Sequence, residues 1–155
     1  MRAWRIAKAK RARDLSGQGA ALEGGRWNEV EVPAVYMGLS PGICCLETFV
    51  HLPARPLIPM KITVFELPDD PDLYFEPPAA ELPTSWNTMP ADRQSMAFGA
   101  EWIRNGGQLG LIVPSAGMPL ERNIVINPRH PAIEQVQIVE VLDFSYDDRM
   151  FHVRP

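Results

Sequence analysis

The sequence predicts one α+β domain built on a mostly antiparallel sheet with a few short helices, and three observations carry that reading. The 155 residues are about one domain long, enough for a single core that buries roughly 70% of the unfolded surface. The 16 prolines cannot occupy the interiors of long helices or central strands, so the elements must be short and the fixed turns many. The apolar patterns run in the order strand, strand, helix, strand, helix, strand, strand, strand, without the regular βα alternation of a parallel sheet. No internal repeat and no linker divides the chain, so residues 1–155 are expected to form one domain.

In the first strand Trp4 and Ile6 alternate with Arg5 and Ala7, which turns Arg5 away from the apolar face. LSGQGAALEGGRWNE, residues 15–29, holds four glycines and little apolar periodicity, and is expected to be a long ordered loop. In AVYMGL, Val35, Met37 and Leu39 line one face of a second strand and Tyr36 leaves the other. Ser40 then supplies an N-cap and Pro41 a first helical residue, and Ile43, Leu46 and Val50 follow at helical spacing through PGICCLETFVHL. MKITVFEL has the β-branched and aromatic content of a third strand.

The stretch from Pro68 to Pro90 carries six prolines and should be mostly irregular. A second helix is expected from Pro90 to about Asn105, with Met96, Trp102 and Ile103 toward the core and Gly106-Gly107 as its stop. QLGLIV and NIVI read as two short strands divided by the turn PSAGMP. VQIVEVLDF is a long closing strand, followed by a polar and aromatic tail.

Composition excludes several classes. The 46% hydrophobic and 22% charged content is globular, not disordered or fibrous. No apolar run of eighteen residues exists and the first residues lack an apolar signal core, so neither membrane insertion nor export is expected and the cytoplasm is the default compartment. Cys44 and Cys45 are adjacent within a helical pattern, which suits neither a disulfide framework nor a zinc site, so they read as reduced packing residues. Arg2, Arg5, Lys8, Lys10, Arg11 and Arg13 fall in the first thirteen residues with no acid among them, leaving nine cations against 19 acids on the remainder. That acidic body argues against a nucleic-acid reader; the basic segment is a solvated surface, or a holder of a small anion or an acidic partner segment.

Familiar cofactor signals are absent. Gly17 and Gly19 lack the third glycine and the strand-to-helix context of a dinucleotide fingerprint, and no GK[ST] occurs. His51, His130 and His152 have no metal-ligand spacing, and Ser115 lies outside a nucleophile elbow. What remains is a set of polar residues at element ends. Arg26 follows two glycines and could bind phosphate or carboxylate oxygens with its planar fork. Tyr36 could stack on a flat heterocycle, and Glu47, one turn and nearly two helical turns further on, could face the same cleft. Ser115 could add a hydroxyl from its proline-flanked turn. Singly, each has an ordinary structural alternative: a loop ion pair for Arg26, a core edge for Tyr36, a solvated carboxylate for Glu47, a turn cap for Ser115.

GGRWN, VYMG, CCLETFVH, LIVPSAG and NIVINPRHP, taken in that order, closely resemble the RES domain, named for an arginine, a glutamate and a serine that match Arg26, Glu47 and Ser115 here. The resemblance runs from WRI at residues 4–6 through VEVLDF, and FSYDDRMF is a looser version of the family's ending. It implies a split-sheet fold similar to diphtheria-toxin-class ADP-ribosyltransferases and a toxin whose partner is an Xre-like helix-turn-helix antitoxin that covers the active site. It implies NAD+ as substrate, with no metal, no membrane and no direct nucleic acid. On that resemblance Arg26, Tyr36 and Glu47 are the catalytic residues, and Arg5, Arg26, Asn28, Tyr36 and Ser115 contact the dinucleotide. Glu47 would serve the ribose and its developing cation, Tyr36 the nicotinamide, Arg26 the phosphates or the carboxamide side, and Arg5 the phosphates. The expected activity is cleavage of the nicotinamide–ribose bond by water or phosphate; the alternatives are ADP-ribosyl transfer to a protein and a catalytically inactive interaction module.

Overall fold

The computed structural model describes residues 1–152. Seven strands form one mixed sheet: β1 (Arg2–Lys8), β2 (Val35–Gly38), β3 (Met60–Glu66), β4 (Tyr74–Phe75), β5 (Gly110–Pro114), β6 (Arg122–Ile126) and β7 (Gln137–Phe144). Their spatial order is β4-β5-β6-β2-β1-β3-β7. Every neighbouring pair is antiparallel except β4 with β5.

The sheet is split. β1 meets β3 along its whole length, from Arg2↔Glu66 to Lys8↔Met60, whereas β1 and β2 share only Trp4↔Gly38. One backbone pair therefore joins β4-β5-β6-β2 to β1-β3-β7. Helix α2 (Pro41–Phe49) lies over that seam, started by the Ser40 side chain, which accepts from the Ile43 N–H, and by Pro41 in the first turn. Gly38 is required there: a Cβ would fall 2.7 Å from the Cys44 nitrogen and 3.0 Å from its Cα. Cys44 is buried, Cys45 half-buried, and both are free thiols.

The faces follow the expected alternation. Val35 and Met37 pack with Ala3, Phe65, Leu109, Ile124 and Ile126 on one face, and Leu39 adds to that cluster. Tyr36 packs on the other, with Leu111, Val113, Val125, Trp27 and the buried side of α3 (Arg93–Asn105). Trp102 and Ile103 are buried core contacts of α3 and Met96 is half-buried; Gly106 ends the helix in the left-handed conformation.

Three expectations change. Residues 15–29 are not all loop, because Gln18–Glu23 form α1; Gly17 enters it in the left-handed conformation and Ala20 and Ala21 favour the helix once started. The second helix begins at Arg93 instead of Pro90, because the Asp92 carboxylate accepts from the Ser95 N–H and fixes the cap there. The irregular stretch contributes the two-residue strand β4, which covers the outer edge of β5. After β7, Tyr146 is buried against Phe144, Phe49 and Phe151.

Candidate active site

Side chains that point to the same side of paired strands meet. Tyr36 lies opposite Val125 and Gly38 opposite Asn123, and Asn123 lies opposite Val113 across β5. Tyr36, Asn123 and, two residues beyond Val113, Ser115 thus share one face at the seam. α2 projects Glu47 onto that face from above. The Ser115 hydroxyl donates to Glu47 Oε1 at 2.5 Å, and the Asn123 side-chain amide donates to the same oxygen at 2.8 Å. Ser115 itself is fully buried and accepts from the Gly117 and Met118 backbone N–H groups at 3.1 and 3.0 Å. Both of its lone pairs are engaged, so its single proton is committed to Glu47.

Tyr36 is fixed from the other end. Its hydroxyl donates to Asn28 Oδ1 at 2.7 Å and accepts from the Trp27 N–H at 2.9 Å; burial pushes the phenol well above its ordinary pKa. Asn28 is fully buried, and its amide donates to the carbonyls of Ala20, Glu29 and Val32. Its polar atoms are engaged within the protein, so Asn28 shapes the loop and aims Tyr36. Gly25 makes room for this arrangement, since a Cβ there would sit 2.7 Å from both Tyr36 Oη and Asn28 Oδ1.

Arg26, next along the loop, does not pair with a loop acid. Its Nη1 donates to the carbonyls of Trp86 at 2.6 Å and Thr88 at 2.9 Å, and its Nη2 approaches Met89 Sδ at 2.9 Å. Trp86 in turn stacks on Trp27 at 6.5 Å between centroids. Of the five guanidinium donors, two remain for another partner. Segment 82–90 is therefore part of the site's wall, which the sequence, rich in proline there, gave no means to foresee.

Arg5 lies on the other face of the sheet. By register it shares its face with Ala3, Thr63 and Phe65, opposite to that of Trp4, Gly38 and Tyr36. Its guanidinium donates to the carbonyls of Arg11 and Ala12 and lies 5.6 Å over the Phe65 ring; burial lowers its pKa. It fastens the basic segment after β1. Asn123 is the residue that sequence reasoning missed. Its signal was a polar residue in phase with Val125 in the otherwise apolar run NIVI.

Tyr36 and the Glu47, Ser115 and Asn123 cluster thus share one face of the sheet, and the Tyr36 hydroxyl ties that face to the Arg26 loop. Chemically this is a carboxylate with one oxygen doubly hydrogen-bonded, beside an immobilised phenol ring and a half-free guanidinium. Among the described residues no group of three or more His, Cys, Asp or Glu is placed to hold a metal ion, and no helix is long and apolar enough to cross a membrane.

A split mixed sheet with a few short helices defines a single-domain α+β protein. Comparison with known proteins makes the class specific. The RES domain model matches residues 2–147, and the chain belongs to the RES domain family. It is 41% identical over 152 residues to a Prs ADP-ribosylating toxin of Sphingobium sp., covering 95% of this chain and 94% of that protein. It is 34% identical over 137 residues to a Toxin Res of Yersinia enterocolitica, covering 87% and 89%. The fold is similar to that in the M. tuberculosis MbcT–MbcA toxin–antitoxin complex, with a TM-score of 0.64 and 22% identity over 93% of this chain and 84% of that one.

Proposed function

We propose that this chain is the toxin of a bacterial toxin–antitoxin pair and that it consumes NAD+ in the cytoplasm by breaking the bond between nicotinamide and ribose. The observation that carries the reading is the Glu47 carboxylate, held at Oε1 by Ser115 and Asn123, on the face where Tyr36 presents its ring. Bond cleavage of this kind passes through an oxocarbenium-like state, as glycoside hydrolysis does. Nicotinamide departs as a neutral molecule with the electron pair of the C–N bond, so no strong acid is needed. What the reaction needs is an anionic group fixed against the ribose before charge develops, and fixed dipoles or charges are worth most when they need not reorganise. Glu47 takes that role, Tyr36 packs against nicotinamide, and the two unengaged donors of Arg26 meet the phosphates. Ser115 supports by holding Glu47.

Water as acceptor gives ADP-ribose and a released proton; inorganic phosphate gives ADP-ribose 1″-phosphate. A second reading, transfer of ADP-ribose to a protein side chain, is favoured by the name of the Sphingobium relative. The partner would be an Xre-like helix-turn-helix antitoxin that covers the cleft. Incubation of the purified chain with NAD+, with and without phosphate, and mass identification of the products tests the reading. Released nicotinamide is expected; NAD+ that stays intact under both conditions overturns cleavage by water or phosphate and leaves transfer to a protein acceptor or an interaction module.

A further inference from the structure

Asparagine is depleted in strands because its amide competes for backbone hydrogen bonds and packs poorly, yet Asn123 occupies the interior of β6, half-buried, between Gly38 and Val113 on the neighbouring strands. Neither neighbour has a polar side chain to offer it. Its side-chain bond among the described residues is the one to Glu47 Oε1. That same oxygen takes the Ser115 proton, so its two lone pairs are both occupied, while Glu47 Oε2 has no protein donor among the described residues.

We propose that Asn123 is a positioning residue, which together with Ser115 saturates Oε1 and leaves Oε2 as the one carboxylate oxygen facing the substrate's ribose. This deepens the NAD+ reading and rests on it. The two donors come from different strands, β6 and the end of β5, and approach Oε1 from two directions. They therefore fix the rotation of the carboxylate as well as its place; one donor alone would leave the group free to turn about its last torsion, which is broad and soft in glutamate. A carboxylate that turns loses alignment with the charge that develops at the ribose, while ground-state binding through the phosphates and the nicotinamide is untouched. The defect from losing Asn123 must then fall on kcat and not on KM.

The test compares wild type with Asn123→Ala and Asn123→Asp in steady-state NAD+ consumption, with thermal melting as control. Asn123→Asp keeps the shape and replaces the donor by an oxygen that repels Glu47. The expected result is a fall in kcat of about tenfold or more for Asn123→Ala and a larger one for Asn123→Asp, with KM for NAD+ within about threefold. The double variant Asn123→Ala/Ser115→Ala should lose less than the product of the two single losses, because both donors serve one oxygen. A kcat loss below tenfold in Asn123→Ala, or a loss carried by KM, overturns the proposal while leaving the NAD+ reading intact. A wild-type chain that does not consume NAD+ overturns both. If Asn123→Asp does not fold, Asn123→Ser replaces it, with the same kcat and KM criteria as Asn123→Ala.

Discussion

Replacement of Glu47 by glutamine separates chemistry from architecture at this site. The glutamine carbonyl can take the place of Oε1 and still accept from Ser115 and Asn123, now at 2.5 and 2.8 Å, so the protein keeps both hydrogen bonds. The amide nitrogen then stands where Oε2 was, and a negative acceptor facing the substrate becomes a neutral donor. Stability should change by about 1 kcal/mol or less, roughly 2–4 °C in melting temperature for a chain of this size. Removing a preorganised electrostatic contact to the transition state typically costs about 10²–10³ in kcat, or about 2.7–4 kcal/mol. Nicotinamide release measured at saturating NAD+, alongside a melting curve, gives both numbers from one preparation. A Glu47→Gln protein that melts like wild type and turns over within about threefold of it would refute the assignment of Glu47 to the reacting ribose.

Other consequences are as direct. Tyr36→Phe removes the donor to Asn28 and the acceptor for the Trp27 N–H, leaving both buried; about 1–3 kcal/mol of stability should be lost in urea unfolding, and an unchanged midpoint would count against Tyr36 as the anchor of the Arg26 loop. Gly99→Ala would place a Cβ 2.0 Å from the Trp27 carbonyl oxygen and 2.6 Å from its carbon, so α3 and the loop before β2 must part; destabilisation above about 3 kcal/mol is expected, and a soluble variant melting near wild type would disprove the close approach. Burial pushes the Cys44 thiol up to about 11 and raises that of half-buried Cys45 as well. Iodoacetamide at pH 8 should therefore leave Cys44 unmodified until denaturant is added, and peptide mapping that finds it labelled in the native protein would contradict the packing of α2 on the seam.

How much of this was legible in the sequence depended on the range of the interaction. The strand carrying Tyr36 and the helix carrying Glu47 were readable because their signals are local: alternation at Val35, Met37 and Leu39, then Ser40 and Pro41. The start of α3 was misplaced because Pro90 is a strong local signal and Asp92 a weaker one, and the Asp92 cap decides. Arg5 was read correctly as opposite to Trp4 and Ile6, but which face of β1 meets the site depends on the Trp4↔Gly38 pair, and no local pattern encodes that register. Asn123 escaped for the same reason, since its partner lies 76 residues away in sequence. Arg26 shows the reverse case: its position was legible through the resemblance, but its hold on the carbonyls of Trp86 and Thr88 belongs to a segment without periodicity.

The seam itself explains why these residues gather where they do. β1 and β2 share a single pair, and α2 covers the sheet face beside it, where Ser115 and Asn123 meet Glu47. Polar side chains are tolerated in such a place only if their donors and acceptors are matched, and the match is made within the cluster: Ser115 and Asn123 to Glu47, Trp27 and Asn28 to Tyr36. Because α2 is anchored at Gly38 by a close approach that any Cβ would block, the carboxylate it carries is brought to Ser115 and Asn123 on the same half of the sheet. The close approach that seats α2 is thus what brings the carboxylate to its donors, and the hydrogen bonds that satisfy the cluster are the ones that aim it.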